Sequence, residues 1–105
     1  ELIKKTKADG VMFLTGDVHY GEISKIEEPG IYPVYDITSS GITSTWNFPT
    51  QNKNRVEGPV MDNHFGLLTV TWEKDPLIKM EIIDKSNNGR VEYTIRKSDI
   101  VFKKE

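Results

Sequence analysis

Asp17 and His19 stand two residues apart in Gly16-Asp17-Val18-His19, directly after the apolar run Val11-Met12-Phe13-Leu14 and Thr15. In extended backbone, side chains at i and i+2 leave on the same side, so a carboxylate oxygen and an imidazole nitrogen could meet one cation at a strand end. That donor pair suits zinc, manganese or iron better than calcium. Gly16 allows the turn angles that a crowded edge requires. The same residues also read as an ordinary turn, with Asp17 bonded to backbone amides and His19 half exposed. Two donors do not complete a transition-metal centre, which takes three or four from protein. A second Asp-x-His spacing, Asp62-Asn63-His64, could be joined to the first, but its place before an alternating segment favours a turn role for Asp62 and Asn63. Glu22 could accept the other ring N–H of His19, as carboxylates behind metal-bound imidazoles do; the alternative is a solvated strand residue. Asp36 lies in an alternating segment and reads as hydrogen-bonded structure.

The elements that must position these groups are mostly strands. Glu1 to Ala8 reads as the end of a helix, with Lys4, Lys5 and Lys7 favourable to its dipole and Asp9-Gly10 as its stop. Val11 to Thr15 is apolar on both faces, the pattern of an interior strand in a covered sheet. Gly21 to Glu27 predicts a second strand with Ile23 and Ile26 available to the core, closed by Glu28-Pro29-Gly30. Ile31 to Thr38 predicts a third, with Pro33 marking an edge or a strand start.

Ser39 to Met61 is the least regular stretch and reads as a long loop, a length that is usually functional or mobile. Trp46 and Phe48 within it are expected to pin the loop to the core, the alternative being an aromatic substrate entrance.

Phe65 to Trp72, Leu77 to Asp84 and Arg90 to Arg96 form the clearest pattern. Leu68, Val70 and Trp72 alternate with polar neighbours, as do Ile78, Met80 and Ile82, and Val91, Tyr93 and Ile95, which predicts a half-buried antiparallel meander. Asp75-Pro76 marks its first turn and Asn87-Asn88-Gly89 its second, on the strength of the Asn-Gly hairpin signal. Ser98 to Glu105 reads as a strand remnant or tail.

Val11 to Glu22 (VMFLTGDVHYGE) and Tyr32 to Thr43 (YPVYDITSSGIT), followed by Asn63-His64-Phe65-Gly66, together resemble the PhoD-like alkaline phosphatases, among the calcineurin-like metallophosphoesterases. The resemblance spans about the first three quarters of the chain. It implies the C-terminal fragment of an α+β, mostly β metallophosphoesterase αββα sandwich, whose further metal ligands lie in the missing N-terminal part of the same domain. It also implies hydrolysis of a small-molecule phosphate ester by a metal-activated hydroxide at a dinuclear centre. Asp17 and His19 would then be metal ligands, and His19 the catalytic residue, either on a metal or contacting the phosphate or leaving group. Glu22, Asn63 and His64 would stand behind the ligands or on the substrate side. Asp17 occupies the place of the first His in the wider superfamily's Gly-His-x-His, a harder donor compatible with iron or calcium as well as manganese or zinc. An extracytoplasmic place, periplasmic or secreted, is implied by the family alone. The fragment alone is expected to be inactive.

Composition limits the other classes. A net charge of −2 gives no basic footprint for nucleic acid, and Lys103-Lys104 reads as a solvated end. No apolar run approaches the roughly 18 residues of a membrane span. The absence of cysteine excludes disulfides and thiolate metal sites. A non-catalytic β-rich module that binds a ligand or protein is the alternative function, and it accounts for the meander but not for a GDxH after the most apolar segment.

Overall fold

Apolar alternation from Phe65 onward produces a three-stranded antiparallel meander, and the segments before it build a separate four-stranded sheet. The computed structural model describes residues 1–16, 18–42, 45, 48 and 51–103. After helix α1 (Leu2–Thr6) come β1 (Phe13–Thr15), β2 (Gly21–Ile26), β3 (Val34–Ser39), β4 (Arg55–Val60), β5 (His64–Thr71), β6 (Leu77–Asp84), β7 (Gly89–Arg96) and a 3₁₀ turn, Lys97–Ile100. The first sheet has the order β1-β3-β2-β4 and the second β5-β6-β7. The architecture is therefore mostly β, with one helix and two sheets.

Register explains how the sheets face each other. Ile37 of β3 lies beside Leu14 of β1, in a parallel pair, and beside Ile23 of β2, in an antiparallel one, so these three share a face. Met80 and Ile82 of β6 lie beside Tyr93 and Val91 of β7. Ile23, Tyr35, Ile37 and Val60 from the first sheet meet Met80, Ile82, Val91 and Ile95 from the second in one core, closed at one end by Tyr32 and Ile100. The two chain ends meet near there, where Phe102 N–H donates to Asp9 Oδ1 (2.7 Å) and Gly10 N–H to the Ile100 carbonyl (2.7 Å).

Several expectations change. Val11 to Thr15 does not run through the interior: β1 is an edge strand of three residues, and Phe13 and Leu14 are 46% and 68% exposed. Pro33 precedes β3, as at a strand start, but β3 is central. Ile23 is fully buried, whereas Ile26 at the far end of β2 is exposed. The stretch 39–61 contains β4, antiparallel to β2 through bulged register, with a cis Gly58-Pro59 peptide. The apolar hydropathy of that segment is too low to announce a strand, because what pairs with β2 is backbone. Phe48 is 82% exposed and does not pin the loop; Trp46 lies outside the described residues. Helix α1 stops at Lys7, in left-handed backbone at φ 58°, ahead of Asp9-Gly10.

The meander keeps its expected strands within a residue at each end, but β5 is the edge, so Leu68 and Trp72 stay exposed despite their alternation. Its second turn is not a two-residue Asn-Gly hairpin. Asn87, at φ 64°, supplies the left-handed residue, and Asp84 Oδ1 accepts the N–H groups of Ser86 (2.9 Å) and Asn88 (3.0 Å). After β7 the chain forms the 3₁₀ turn rather than a strand remnant; there Asp75 accepts the Ser98 hydroxyl (2.6 Å) and amide (3.0 Å).

Candidate functional site

Three short segments far apart in sequence converge where the C-terminal ends of β1 and β3 meet the starts of β2 and β5. The end of β1 is held first. Thr15 Oγ1 donates to Asp36 Oδ1 (2.7 Å) and lies 2.8 Å from Thr38 Oγ1, which itself donates to Asp36 (3.2 Å). Asp36 is thus the hydrogen-bonded strand residue expected. From this fixed point the chain leaves β1 through Gly16 toward His19.

His19 occupies left-handed backbone at φ 58°, uncommon for a residue with a side chain. The same-side argument for Asp17 and His19 is made for extended backbone, and His19 itself is not extended. Asp17 itself lies outside the described residues. Gly16 is not in the left-handed region, and a side chain there would make only ordinary contact with Ser40. The sharp change of direction is made at His19, whose N–H donates to Ser40 Oγ (2.9 Å). The Ser40 hydroxyl points in turn toward the Tyr20 carbonyl (3.5 Å).

The third segment locks onto the second. His64 N–H donates to the Gly41 carbonyl (3.1 Å), and Asn63 Nδ2 donates to the carbonyls of Gly41 (3.2 Å) and Ile42 (3.4 Å). A Cβ at Gly41 would lie 2.4 Å from His64 Cε1, and one at Gly21 would lie 2.8 Å from His64 Nε2. The imidazole therefore fills a slot between two backbones that only glycine leaves open. Gly66 is tight against Ser39 for the same reason, with a Cβ there 3.0 Å from the serine Cβ.

His64 is 2% exposed. Its Nδ1 lies 2.8 Å from the Asp62 carbonyl, which can only accept, so Nδ1 carries the proton and Nε2 of the neutral ring does not. Nε2 is buried and has no hydrogen-bond partner among the described residues. This burial places His64 at the junction of the two sheets.

The remaining expected residues have other partners. The Glu22 carboxylate is buried and turned toward β4 and the residues before it: Oε1 accepts from Arg55 Nε (2.6 Å), and Oε2 accepts from Asn52 Nδ2 (2.7 Å) and, at 3.5 Å, the Ser24 hydroxyl. A role in orienting His19 is replaced by one in joining β2 to β4. Asp62 pairs with Arg90 (2.6 Å), and Asp17, which a set joining the two Asp-x-His spacings would need, lies outside the described residues. Among the described residues no group of three His, Cys, Asp or Glu side chains is placed to hold a metal. These residues are at most part of a donor set.

Beside the convergence lies an apolar groove of about 340 Å³, lined by Leu14, Ile37, Ile42, Phe65, Leu67 and Leu68. It opens between β1 and β5, each an edge strand of its sheet. Sequence reasoning did not single out Ser40, Gly41, Asn52 or Arg55. A serine hydroxyl or a tight glycine carries no signal until its partner, distant in sequence, is placed beside it. No family model, curated protein or solved structure matches this chain.

Proposed function

We propose that this chain is the C-terminal part of a metal-dependent phosphoric ester hydrolase of the PhoD-like alkaline phosphatase kind, within a metallophosphoesterase αββα sandwich. The observation that supports the reading is the convergence itself: the three segments that carry the resemblance, Val11 to Glu22, Tyr32 to Thr43 and Asn63 to Gly66, are joined through Ser40, Gly41 and His64.

The surface supports the need for a further part of the domain. The first sheet pairs β1 with β3 in parallel and leaves the other edge of β1 without a strand among the described residues. Phe13 and Leu14 are exposed on opposite faces of β1, and the groove between β1 and β5 is apolar. The N-terminal part would continue the first sheet from β1 and cover that groove.

Asp17 and His19 are the residues this chain would contribute to a dinuclear centre of iron, calcium, manganese or zinc. When bound, such ions supply Lewis acidity toward the phosphoryl group and the attacking water. This chain's own part is to present the His19 imidazole from a backbone turn fixed by Ser40.

The test compares the longer protein with its Asp17→Ala and His19→Ala variants, measuring phosphatase turnover and bound metal together. Loss of both, with the fold intact by circular dichroism, is the expected result. Unchanged metal and turnover would overturn the reading and leave a β-rich binding module. The 105-residue chain alone is expected not to hydrolyse p-nitrophenyl phosphate; metal-dependent turnover by it, lost in Asp17→Ala, would overturn that part.

A further inference from the structure

We infer that Ser40 is a positioning residue for His19, and that the His64 ring, wedged between Gly21 and Gly41, is what holds Ser40 in place. The inference rests on the reading of His19 as a working residue of a phosphoester hydrolase, but its geometry is independent of it.

The left-handed backbone of His19 must be held by something, because a side-chain-bearing residue gains nothing intrinsic from that region. The Ser40 hydroxyl accepts the His19 N–H at 2.9 Å while leaning toward the Tyr20 carbonyl, so one side chain spans two successive residues of the turn. Ser40 lies just beyond β3, and the next residue, Gly41, is fixed from both sides. Its carbonyl accepts the N–H of His64 and the amide of Asn63, and its α-carbon faces the imidazole ring.

The ring cannot drift, since Gly21 bounds it on the opposite side and the Asp62 carbonyl holds Nδ1. Gly21 directly follows Tyr20, the second residue that Ser40 spans. One buried imidazole thus sets the spacing between the segment bearing His19 and the segment bearing Ser40. An apolar ring would fill the slot without the Nδ1 bond that fixes its rotation. This explains a buried histidine whose Nε2 has no partner among the described residues.

Amide hydrogen exchange of the 105-residue chain, read residue by residue by NMR, tests this. In Ser40→Ala the His19 amide is expected to exchange roughly fivefold faster or more, the loss of about one hydrogen bond. Its α-carbon shift should move away from the left-handed range, while the amides of Met80 and Ile82 keep their protection. Ser40→Thr, which retains the hydroxyl, should restore both signals. His64→Ala should reproduce the His19 effect with Ser40 intact.

An unchanged His19 amide in a folded Ser40→Ala would overturn the inference. So would a folded Ser40→Thr in which His19 is as unprotected as in the alanine variant. If the alanine variant loses protection throughout, the threonine variant decides. None of these signals depends on metal or turnover, so the hydrolase reading can fail while the clamp stands, and the clamp can fail while Asp17 and His19 still prove essential.

Discussion

Arg55 Nε meets Glu22 Oε1 at 2.6 Å across β4 and β2, with the two side chains only 18% and 8% exposed. Both strands are irregularly registered here, so the pair, together with Asn52, takes the place of a regular ladder in fixing β4. A carboxylate this buried is destabilising once its partner is removed, because water cannot replace it. Arg55→Met is therefore expected to lower unfolding free energy by about 3 kcal/mol in urea titration, and the double variant Glu22→Leu with Arg55→Met by less. A cost under about 0.5 kcal/mol for Arg55→Met would put the pair in the class of solvated surface ion pairs.

The glycines around His64 give a second expectation. At Gly41 an added methyl would sit 2.4 Å from His64 Cε1, and at Gly21 2.8 Å from Nε2. Neither contact can be relieved by rotating the ring, which the Asp62 carbonyl holds. Gly41→Ala and Gly21→Ala should each cost about 1–3 kcal/mol, the range of overpacked cores. Gly89→Ala, with nothing within 4 Å and ordinary backbone, is the control and should stay within about 0.5 kcal/mol of the parent chain. In combination with His64→Ala, Gly41→Ala should cost less than it does alone. Additive costs would show that the imidazole is not what the methyl meets.

The meander was legible in the sequence because its strands have one wet face and one dry face, so period-two alternation reports them directly. β4 was hidden because Arg55, Glu57, Gly58 and Pro59 have no apolar rhythm; the strand exists by pairing with β2 and by the Glu22–Arg55 contact. β1 is a strand as its apolar run predicts, but among the described residues it lies at the edge of its sheet. Its apolar residues fit a covered strand, and only the strand order reveals that one edge and much of both faces are open. At the candidate site, the residue types at Asp17 and His19 drew attention, but the geometry depends on the φ of His19 and on Ser40, neither of which has a local sequence signal. Glu22 and His64 were noticed for chemistry they could perform, and the structure uses one for strand pairing and the other for spacing.

Asp84 makes the meander's second turn sensitive to acid. The N–H of Asn88, foremost, and those of Ser86 and the Arg90 guanidinium hold its carboxyl below the usual carboxylate range, against the opposing effect of desolvation. An unfolded chain takes up this proton near pH 4, before the folded chain does, so falling pH favours the unfolded state. Stability from Asp84 is complete above that value and is lost as pH drops through the depressed folded one. Urea midpoints taken between about pH 5 and pH 3 should fall more steeply for the parent chain than for Asp84→Asn. Parallel curves would mean that the turn does not discriminate between the two protonation states.

Tyr35 sets the corresponding limit at alkaline pH. Burial in the core, first, and then the hydrogen bond and charge of Tyr93 push its phenol well above the ordinary tyrosine value. The rings lie 5.6 Å apart, tilted by 48°, one from each sheet, so ionising the buried Tyr35 would place a charge between the layers. In the unfolded chain Tyr35 loses its proton near pH 10, whereas in the folded chain it holds it longer. Its contribution to stability is therefore present below about pH 10 and disappears as pH rises beyond it. Absorbance titration should show a phenolate component that appears only together with loss of tertiary structure, and Tyr35→Phe should reduce it by one tyrosine. A Tyr35→Phe chain that retains the late, unfolding-linked phenolate component undiminished would assign it to another tyrosine and refute the role given to Tyr35.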